Sequence, residues 1–349
     1  MCRKPSNYEA WSIDPRGFYD QPTKTDKLKF LVCFGILAPS SHNTQPWKFH
    51  VDNNSIEIIA DFSRRPQFGD PTGRMTYIAL GCAAENMIIA AKHYGFECAV
   101  HYNEQLSNAN AEHAVTLTCD DKGLVSHDDA LFSAITQRVS YRAEYQNKEV
   151  PAEIIDDLQN LVSESGINLT ITNNFTDKKL LASIAGEGMK EKMSQLDFRK
   201  ELATWIRNNW TMSRDGMPGS GHEMSMLKSL AAPWALRLID VSPVEEKKAI
   251  KRVLNFGAVG IISTKDDNAA AWLHTGELLE SVLLTLQSKG MAASIMVAAI
   301  ESGESRKKLS TFIFEKTNQT LSPQMFFGLG YPTKVAPHSP RRGVEEVLT

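Results

Sequence analysis

Along residues 24–37, Leu28, Leu31, Val32 and Ile36 recur at helical spacing, which predicts a helix over Lys24–Leu37. Pro39 stops it, because a proline pushes the residue before it toward extended geometry. A polar run, Ser40–Gln45, leads to two short segments, Trp47–Val51 and Ser55–Ala60. The turn sequence Asp52-Asn53-Asn54 joins them, so the pair reads as a β-hairpin. After a second turn, Asp70-Pro71-Thr72-Gly73, positions Met75, Ile78, Ala79, Cys82, Ala83, Asn86, Met87, Ala90 and Ala91 follow helical spacing. Its small residues, Gly81 among them, would let another helix approach closely, and its wide apolar face predicts a central core helix. Phe96–Tyr102 and Ala114–Cys119 read as strands.

The pattern then restarts. Asp128–Gln137 predicts a short helix and Arg138–Asn147 a polar loop. Pro151 suits the first position of a helix carrying Ile154, Leu158 and Leu161, and Asn168–Thr172 reads as a strand. Residues 177–238 form helical pieces rich in Lys, Arg, Met and Trp, broken by the glycine-rich Arg214–Gly221, where a mobile or ligand-ordered segment is expected. Ser242–Asn255 reads as a helix and Gly257–Ser263 as a buried strand. A second long apolar helix, Ala269–Ser288, is stopped by Gly290. Ser305–Glu315 reads as a helix and Gln324–Leu329 as a strand. The blocks Asp70–Gly95 and Asp267–Gly290 share one plan: an acidic turn, a long helix of small and aliphatic residues, then glycine. That repeat fits a duplicated, pseudo-symmetric core. The expected halves are 1–125 and 126–349, with a lid-like insertion at about 178–238.

Composition narrows the class. The 349 residues make about two domain-sized units, and 42% apolar with 23% charged residues is ordinary for a globular chain. A formal net charge of -3 gives no global field for nucleic acid or an anionic membrane, so any bound anion needs a local cluster. The cysteines, Cys2, Cys33, Cys82, Cys98 and Cys119, are odd in number and scattered, which argues against a disulfide framework or a zinc site. With no apolar leader at the N-terminus and no run long enough to span a bilayer, a cytoplasmic protein in a reducing interior is expected. The nine histidines show no metal spacing, so no metal is expected, and no catalytic residue can be named. P-loop, HExxH, G-x-S-x-G and dinucleotide-binding glycine motifs are all missing, so chemistry would come from a bound cofactor.

Three polar constellations could hold one. In Ala38-Pro39-Ser40-Ser41-His42-Asn43-Thr44-Gln45-Pro46-Trp47, two prolines fix a loop of hydrogen-bonding side chains that suits a planar, polar-edged ligand. On composition alone it is more often an ordinary helix-to-strand loop over a core tryptophan. Arg138, Ser140 and Arg142 alternate, and in an extended segment would project from one side as a phosphate cradle. The same spacing also describes a solvated surface strand. Pro340-Arg341-Arg342-Gly343 is either a further clamp on that anion or a basic tail.

Together these motifs resemble the FMN-dependent nitroreductase family, and more closely its double-length, Acg-like branch. Besides the loop at 38–47 and the Arg138-x-Ser140-x-Arg142 segment, the likeness rests on Val150-Pro-Ala-Glu153, Leu329-Gly-Tyr-Pro332 and Val344-Glu-Glu-Val347. Asp70-Pro-Thr-Gly-Arg74, Arg214-Asp-Gly-Met-Pro218 and Trp272-Leu-His-Thr-Gly276 are further Acg-like marks. The resemblance implies an α+β, nitroreductase-like fold duplicated in one chain, with central long helices and mixed or antiparallel sheets. It implies FMN contacts at Pro39, Ser40, Ser41, Asn43, Gln45, Arg138, Ser140, Arg142, Arg341 and Arg342, with backbone N–H groups of Met291–Met296 at the flavin edge. Single-length members build each flavin site from two chains. Here the first half keeps the N-x-Q-P-W loop, the second keeps the Arg-Ser-Arg segment, and Ser163-Glu-Ser-Gly166 stands where the second loop would be. A fused pseudo-dimer with one working FMN site and one decayed site is therefore expected, either monomeric or homodimeric. The implied activity is hydride transfer from NAD(P)H through flavin to a nitroaromatic, a quinone or a similar small acceptor. The alternative is an FMN-sequestering protein whose insertion closes the site.

Overall fold

The chain is described from a computed structural model covering residues 6–103, 112–123 and 129–349. Cys2, the start of the expected helix at Asp128 and the expected 125/126 boundary lie outside the described residues.

The first half runs α1 (Lys24–Gly35), β1 (Trp47–Val51), β2 (Ser55–Ala60), α2 (Arg74–His93), β3 (Phe96–Tyr102) and β4 (His113–Asp121). Thr23 caps α1 by accepting from the Asp26 N–H, and the chain turns at Ile36–Ala38 ahead of Pro39. After α3 (Asp129–Ile135), the second half runs α4 (Ala152–Gln159), β5 (Ile167–Thr172), α5 (Phe175–Ser194), α6 (Leu196–Trp205), β6 (Ile206–Arg207), β7 (Met217–Pro218), α7 (Met226–Leu238) and α8 (Ser242–Asn255). It continues through β8 (Ala258–Thr264), α9 (Ala269–Ser288), β9 (Ala292–Ile295), α10 (Ala298–Glu301), α11 (Gly303–Thr317) and β10 (Ser322–Gly330).

The two main sheets have the same topology. One is ordered β1-β2-β4-β3 and the other β5-β8-β10-β9, with every neighbour antiparallel. Each carries its long helix, α2 or α9, between its second and third strands in chain order. These helices cross at glycine on glycine. A Cβ on Gly81 would stand 2.0 Å from the Leu273 carbonyl oxygen, and one on Gly276 would stand 2.1 Å from that of Ile78. Small residues at the crossing thus let the two backbones touch, and one apolar core runs through both halves.

The second half carries α10 and α11 between β9 and β10, and the halves differ most at one hairpin. Where Asp52–Asn54 joins β1 to β2, the second half inserts α5 to α8 between β5 and β8. Helix α5 buries Leu181, Ala182, Ile184 and Ala185 in the main core and packs along α8. The tip is separate. Met193, Phe198, Leu202, Ile206 and Met217 form a small apolar cluster of their own. The expected insertion at 178–238 lies within this segment.

The cysteine expectation needs correction. Cys98 and Cys119 are joined by a disulfide, because the β3/β4 register sets them directly opposite with Cα atoms 4.0 Å apart. Their separation of 21 residues hides that pairing in the sequence. Cys33 and Cys82 are free. Among the described residues no helix is long and apolar enough to cross a membrane.

Candidate functional site

A cavity of about 600 Å³ opens beside the crossing of α2 and α9. That size is within the roughly 300–1,000 Å³ of small-molecule and cofactor sites. The first half supplies Pro39, Ser40, Ser41 and His42 from the loop after α1, and Met75, Ile78, Ala79 and Cys82 from α2. The second half supplies Ser140, Arg142 and the chain leaving β9 at Ile295–Ala298. The tip cluster of the insertion forms the roof: Met193, Phe198, Leu202, Ile206 and Met217 all face the cavity. Lys228, Glu245, Lys248 and Arg252 also line it.

The wall loop is held in a costly shape. His42, Asn43 and Gln45 all have positive φ (51°, 56° and 53°), a region that side-chain-bearing residues seldom adopt. A polar network around Asn43 and Gln45 holds them there. Asn43 Nδ2 donates to the carbonyls of Gly216 (3.0 Å) and Pro340 (2.9 Å). Gln45 Nε2 donates to the Arg214 carbonyl at 2.7 Å, and Gln45 Oε1 accepts from the Arg342 N–H at 2.8 Å. Arg341 is buried and donates to Asn43 Oδ1 and to the carbonyls of Leu37 and Ala38. Arg342 Nη2 donates to the Glu346 carbonyl.

The expected contact set therefore divides. Pro39, Ser40, Ser41, Ser140 and Arg142 line the cavity; Asn43, Gln45, Arg138, Arg341 and Arg342 do not. The second group shapes the loop from behind. This corrects the expectation that Arg138, Ser140 and Arg142 project from one side. Arg138 turns into the core, where its Nε lies 3.1 Å from Glu280 Oε1 and its Nη2 donates to the Leu37 carbonyl. The pull is electrostatic: Glu280 on α9 is fully buried, and a buried carboxylate needs a counter-charge.

Two of the cations that face the cavity, Arg142 and Arg252, lack acidic partners. No carboxylate of the described residues lies within ion-pair distance of Arg142 or Arg252. Arg142 makes only a 3.5 Å contact to the Ser140 carbonyl. Burial and the neighbouring Arg252 charge lower its pKa to about 10. Burial also lowers Arg252. His42 is pushed down to about 4 by burial, then by Arg142 and Lys192; His222 is pushed down to about 3 by burial, then by Arg142 and Arg252. Both imidazoles are thus neutral near pH 7. The arrangement offers an apolar-walled cavity with serine side chains in its lining and two guanidinium groups that no carboxylate pairs with.

The roof is tied to the first half. Glu201 on α6 accepts from the backbone N–H groups of Phe68 (3.0 Å) and Gly69 (2.7 Å). Asp215 takes Arg64 at 2.5 Å and Arg207 at 2.7 Å. The glycine-rich break expected to be mobile or ligand-ordered is thus bound by Asn43, Gln45 and Arg64. Sequence reasoning missed Arg252 and the roof cluster. Only the insertion's unusual Met, Trp and Lys content pointed to it, and no spacing links those residues to the loop at 39–42.

No family model matches the chain. It is similar along nearly its whole length to curated proteins of Mycobacterium tuberculosis. One, provisionally named NAD(P)H nitroreductase Rv3131, is 23% identical over 326 residues, 93% of this chain and 91% of the relative. Another, provisionally named NAD(P)H nitroreductase acg, is 24% identical over 335 residues, 94% and 97% of the two chains. Among solved structures, the FMN-dependent nitroreductase NfnB from Mycobacterium smegmatis, in complex with NADPH, is 14% identical with a TM-score of 0.39. That match covers 62% of this chain and 96% of NfnB, a likeness too distant to carry weight. The chain is thus similar, over more than nine-tenths of its length, to proteins that carry the nitroreductase name, acg among them.

Proposed function

We propose that the chain is an FMN-dependent oxidoreductase that takes hydride from NAD(P)H and passes it to a nitroaromatic, quinone or similar small acceptor. The reading is carried by one observation: a cavity of about 600 Å³ lined by the Pro39–Ser41 loop of one half and by Ser140 and Arg142 of the other. Names given to relatives agree with it, since Rv3131 and acg both carry the nitroreductase name.

The residues present fit FMN. Arg142 and Arg252 lack carboxylate partners and would hold the phosphate dianion by charge-assisted hydrogen bonds. Ser40, Ser41 and Ser140 would serve the ribityl chain and ring edge. Met75, Ile78 and Ala79 on one side and Met296 on the other give the apolar walls a ring system needs. FMN, when bound, supplies two-electron hydride chemistry that no side chain here can perform. His42 and His222 are held neutral, so Arg142 and Arg252 would carry the charge pairing with the phosphate. The roof would shield the ring from water, and movement of the tip would widen the way in for a nicotinamide or acceptor.

That roof also favours a second reading, an FMN-sequestering protein with little turnover. One experiment separates the two. The purified chain is reconstituted with FMN, its flavin content is measured, and NADPH is added without oxygen. One FMN per chain that bleaches within seconds supports the oxidoreductase. One FMN that stays oxidised supports sequestration. No FMN uptake, or two per chain, overturns the site assignment itself.

A further inference from the structure

A second pocket, of about 260 Å³, lies on the opposite side of the helix crossing. The internal repeat relates it to the first cavity. Gly81 of α2 meets Gly276 of α9 at the crossing, and the same displacement along the chain carries several lining residues of one pocket onto lining residues of the other. Ala79 and Cys82, which line the first cavity, become His274 and Glu277 in the second. Ile295 and Val297 become Val100 and Tyr102. The loop at 39–42, which follows α1, is replaced by 161–164, which follows α4 and ends in Glu164.

The charge differs along with the position. The first cavity presents Arg142, Arg252, Lys192, Lys228 and Lys248 against Glu223, Glu245 and Glu301; the second presents Glu85, Glu164 and Glu277 with His274 and has no Lys or Arg in its lining. One carboxylate pair states the difference. Glu280 and Glu85 are counterparts under the same displacement. Glu280 has Arg138 at 3.1 Å, whereas Glu85 is held only by the Ser281 hydroxyl at 2.5 Å. No Lys, Arg or His of the described residues lies within ion-pair distance of Glu85. The first half has no Arg-x-Ser-x-Arg segment to supply one. The pocket is therefore short of a positive charge at the place where its twin has an arginine.

We infer that this second pocket is a cation site, taking one divalent transition-metal ion through His274, Glu164 and Glu277 in place of the missing arginine. The donor atoms already converge within 4.8 Å of one another. His274 Nδ1 lies 3.0 Å from Glu164 Oε2 and 3.2 Å from Glu277 Oε2. Zinc bonds of 2.0–2.1 Å at tetrahedral angles set ligand atoms about 3.3 Å apart, so a zinc-sized ion needs little rearrangement. Imidazole nitrogen and carboxylate oxygen are both ligand types that zinc and other first-row divalent ions accept. Tyr102 donates its hydroxyl to the Glu277 carboxylate at 2.9 Å, which fixes that ligand's orientation as outer partners of metal ligands do. His274 and Glu277 are largely buried, while Glu164 is half exposed at 48% and leaves a way in. Sequence spacing could not find this set, because Glu164 comes from a loop more than a hundred residues before the helix that bears the other two.

The inference rests on the internal repeat and not on the flavin reading, and its test needs no activity. The full chain, stripped with EDTA, is titrated with zinc chloride by calorimetry, and its melting temperature is followed with and without zinc. The expected result is one zinc per chain at micromolar affinity or tighter, with a raised melting temperature. His274→Asn and Glu164→Gln should each weaken binding at least tenfold while leaving the FMN content of the first cavity unchanged. Wild-type chain that takes up no zinc at 0.1 mM overturns the inference without any variant. Equal binding by wild type and both variants overturns it too, as an adventitious ion only.

Discussion

At the scale of single residues, the site divides into side chains that face the cavity and side chains that hold its wall. Arg138 belongs to the second kind. Removing it leaves Glu280 buried and unpaired, and breaking a buried pair in that way costs about 3–5 kcal/mol. Arg138→Ala should therefore lower the melting temperature sharply, and adding Glu280→Gln should recover much of the loss. Arg142→Ala should instead leave stability nearly unchanged and weaken FMN binding by about 1.5–3 kcal/mol in a fluorescence titration. A Glu280→Gln change that fails to rescue Arg138→Ala would mean that the arginine acts on the loop alone. The histidines give a pH signature. His42 and His222 stay neutral in the fold down to about 4 and about 3, against an ordinary value of 6.5. The unfolded chain then binds more protons below pH 6.5, so stability is full above that pH and falls as pH drops toward 4. Each histidine accounts for at most ~1.4 kcal/mol per pH unit. Urea melts of the flavin-free chain between pH 7 and 4.5 should show that slope, and His42→Gln should flatten it.

Elements were legible wherever the local pattern decided them. The Trp47–Val51 and Ser55–Ala60 hairpin and the helices at 242–255 and 269–288 stand where periodicity and turn residues put them. The loop at 38–47 was legible as a site, but the roles of its side chains were not. Asn43 and Gln45 find partners at 214–216 and 340–342, and no local rule connects segments so far apart. The Cys98–Cys119 bridge was hidden for the same reason, since strand register and not sequence spacing sets it. The insertion shows what such long-range ties do. Its base, α5 and α8, is part of the main core, while its tip is a separate small cluster latched by Glu201 and Asp215. Locally cohesive, polar-latched segments are the ones that open first. Asp215→Ala removes the partner of Arg64 and Arg207 and should speed anaerobic flavin reduction by NADPH several-fold in stopped-flow, with FMN leaving faster as well. An unchanged reduction rate would mean that the latch does not limit access.

For the whole molecule, the argument turns on one crossing. A two-chain enzyme of this design would join its halves through an interface; this chain joins them through Gly81 on Gly276 and a continuous core. Both pockets hang on that contact, because α2 and α9 each line both cavities. A methyl group at either glycine would meet a backbone carbonyl at about 2 Å, where no side chain can give way. The helices must then move apart, which unpacks the core they share. Gly276→Ala should lower the melting temperature by more than Arg142→Ala does and weaken FMN binding as well, although Gly276 lines neither pocket. A variant that keeps wild-type stability but loses FMN would place the glycine in the cofactor site after all. One that keeps both would show that the halves tolerate separation, and the pseudo-dimer would then be held by its peripheral contacts and not by its central helices.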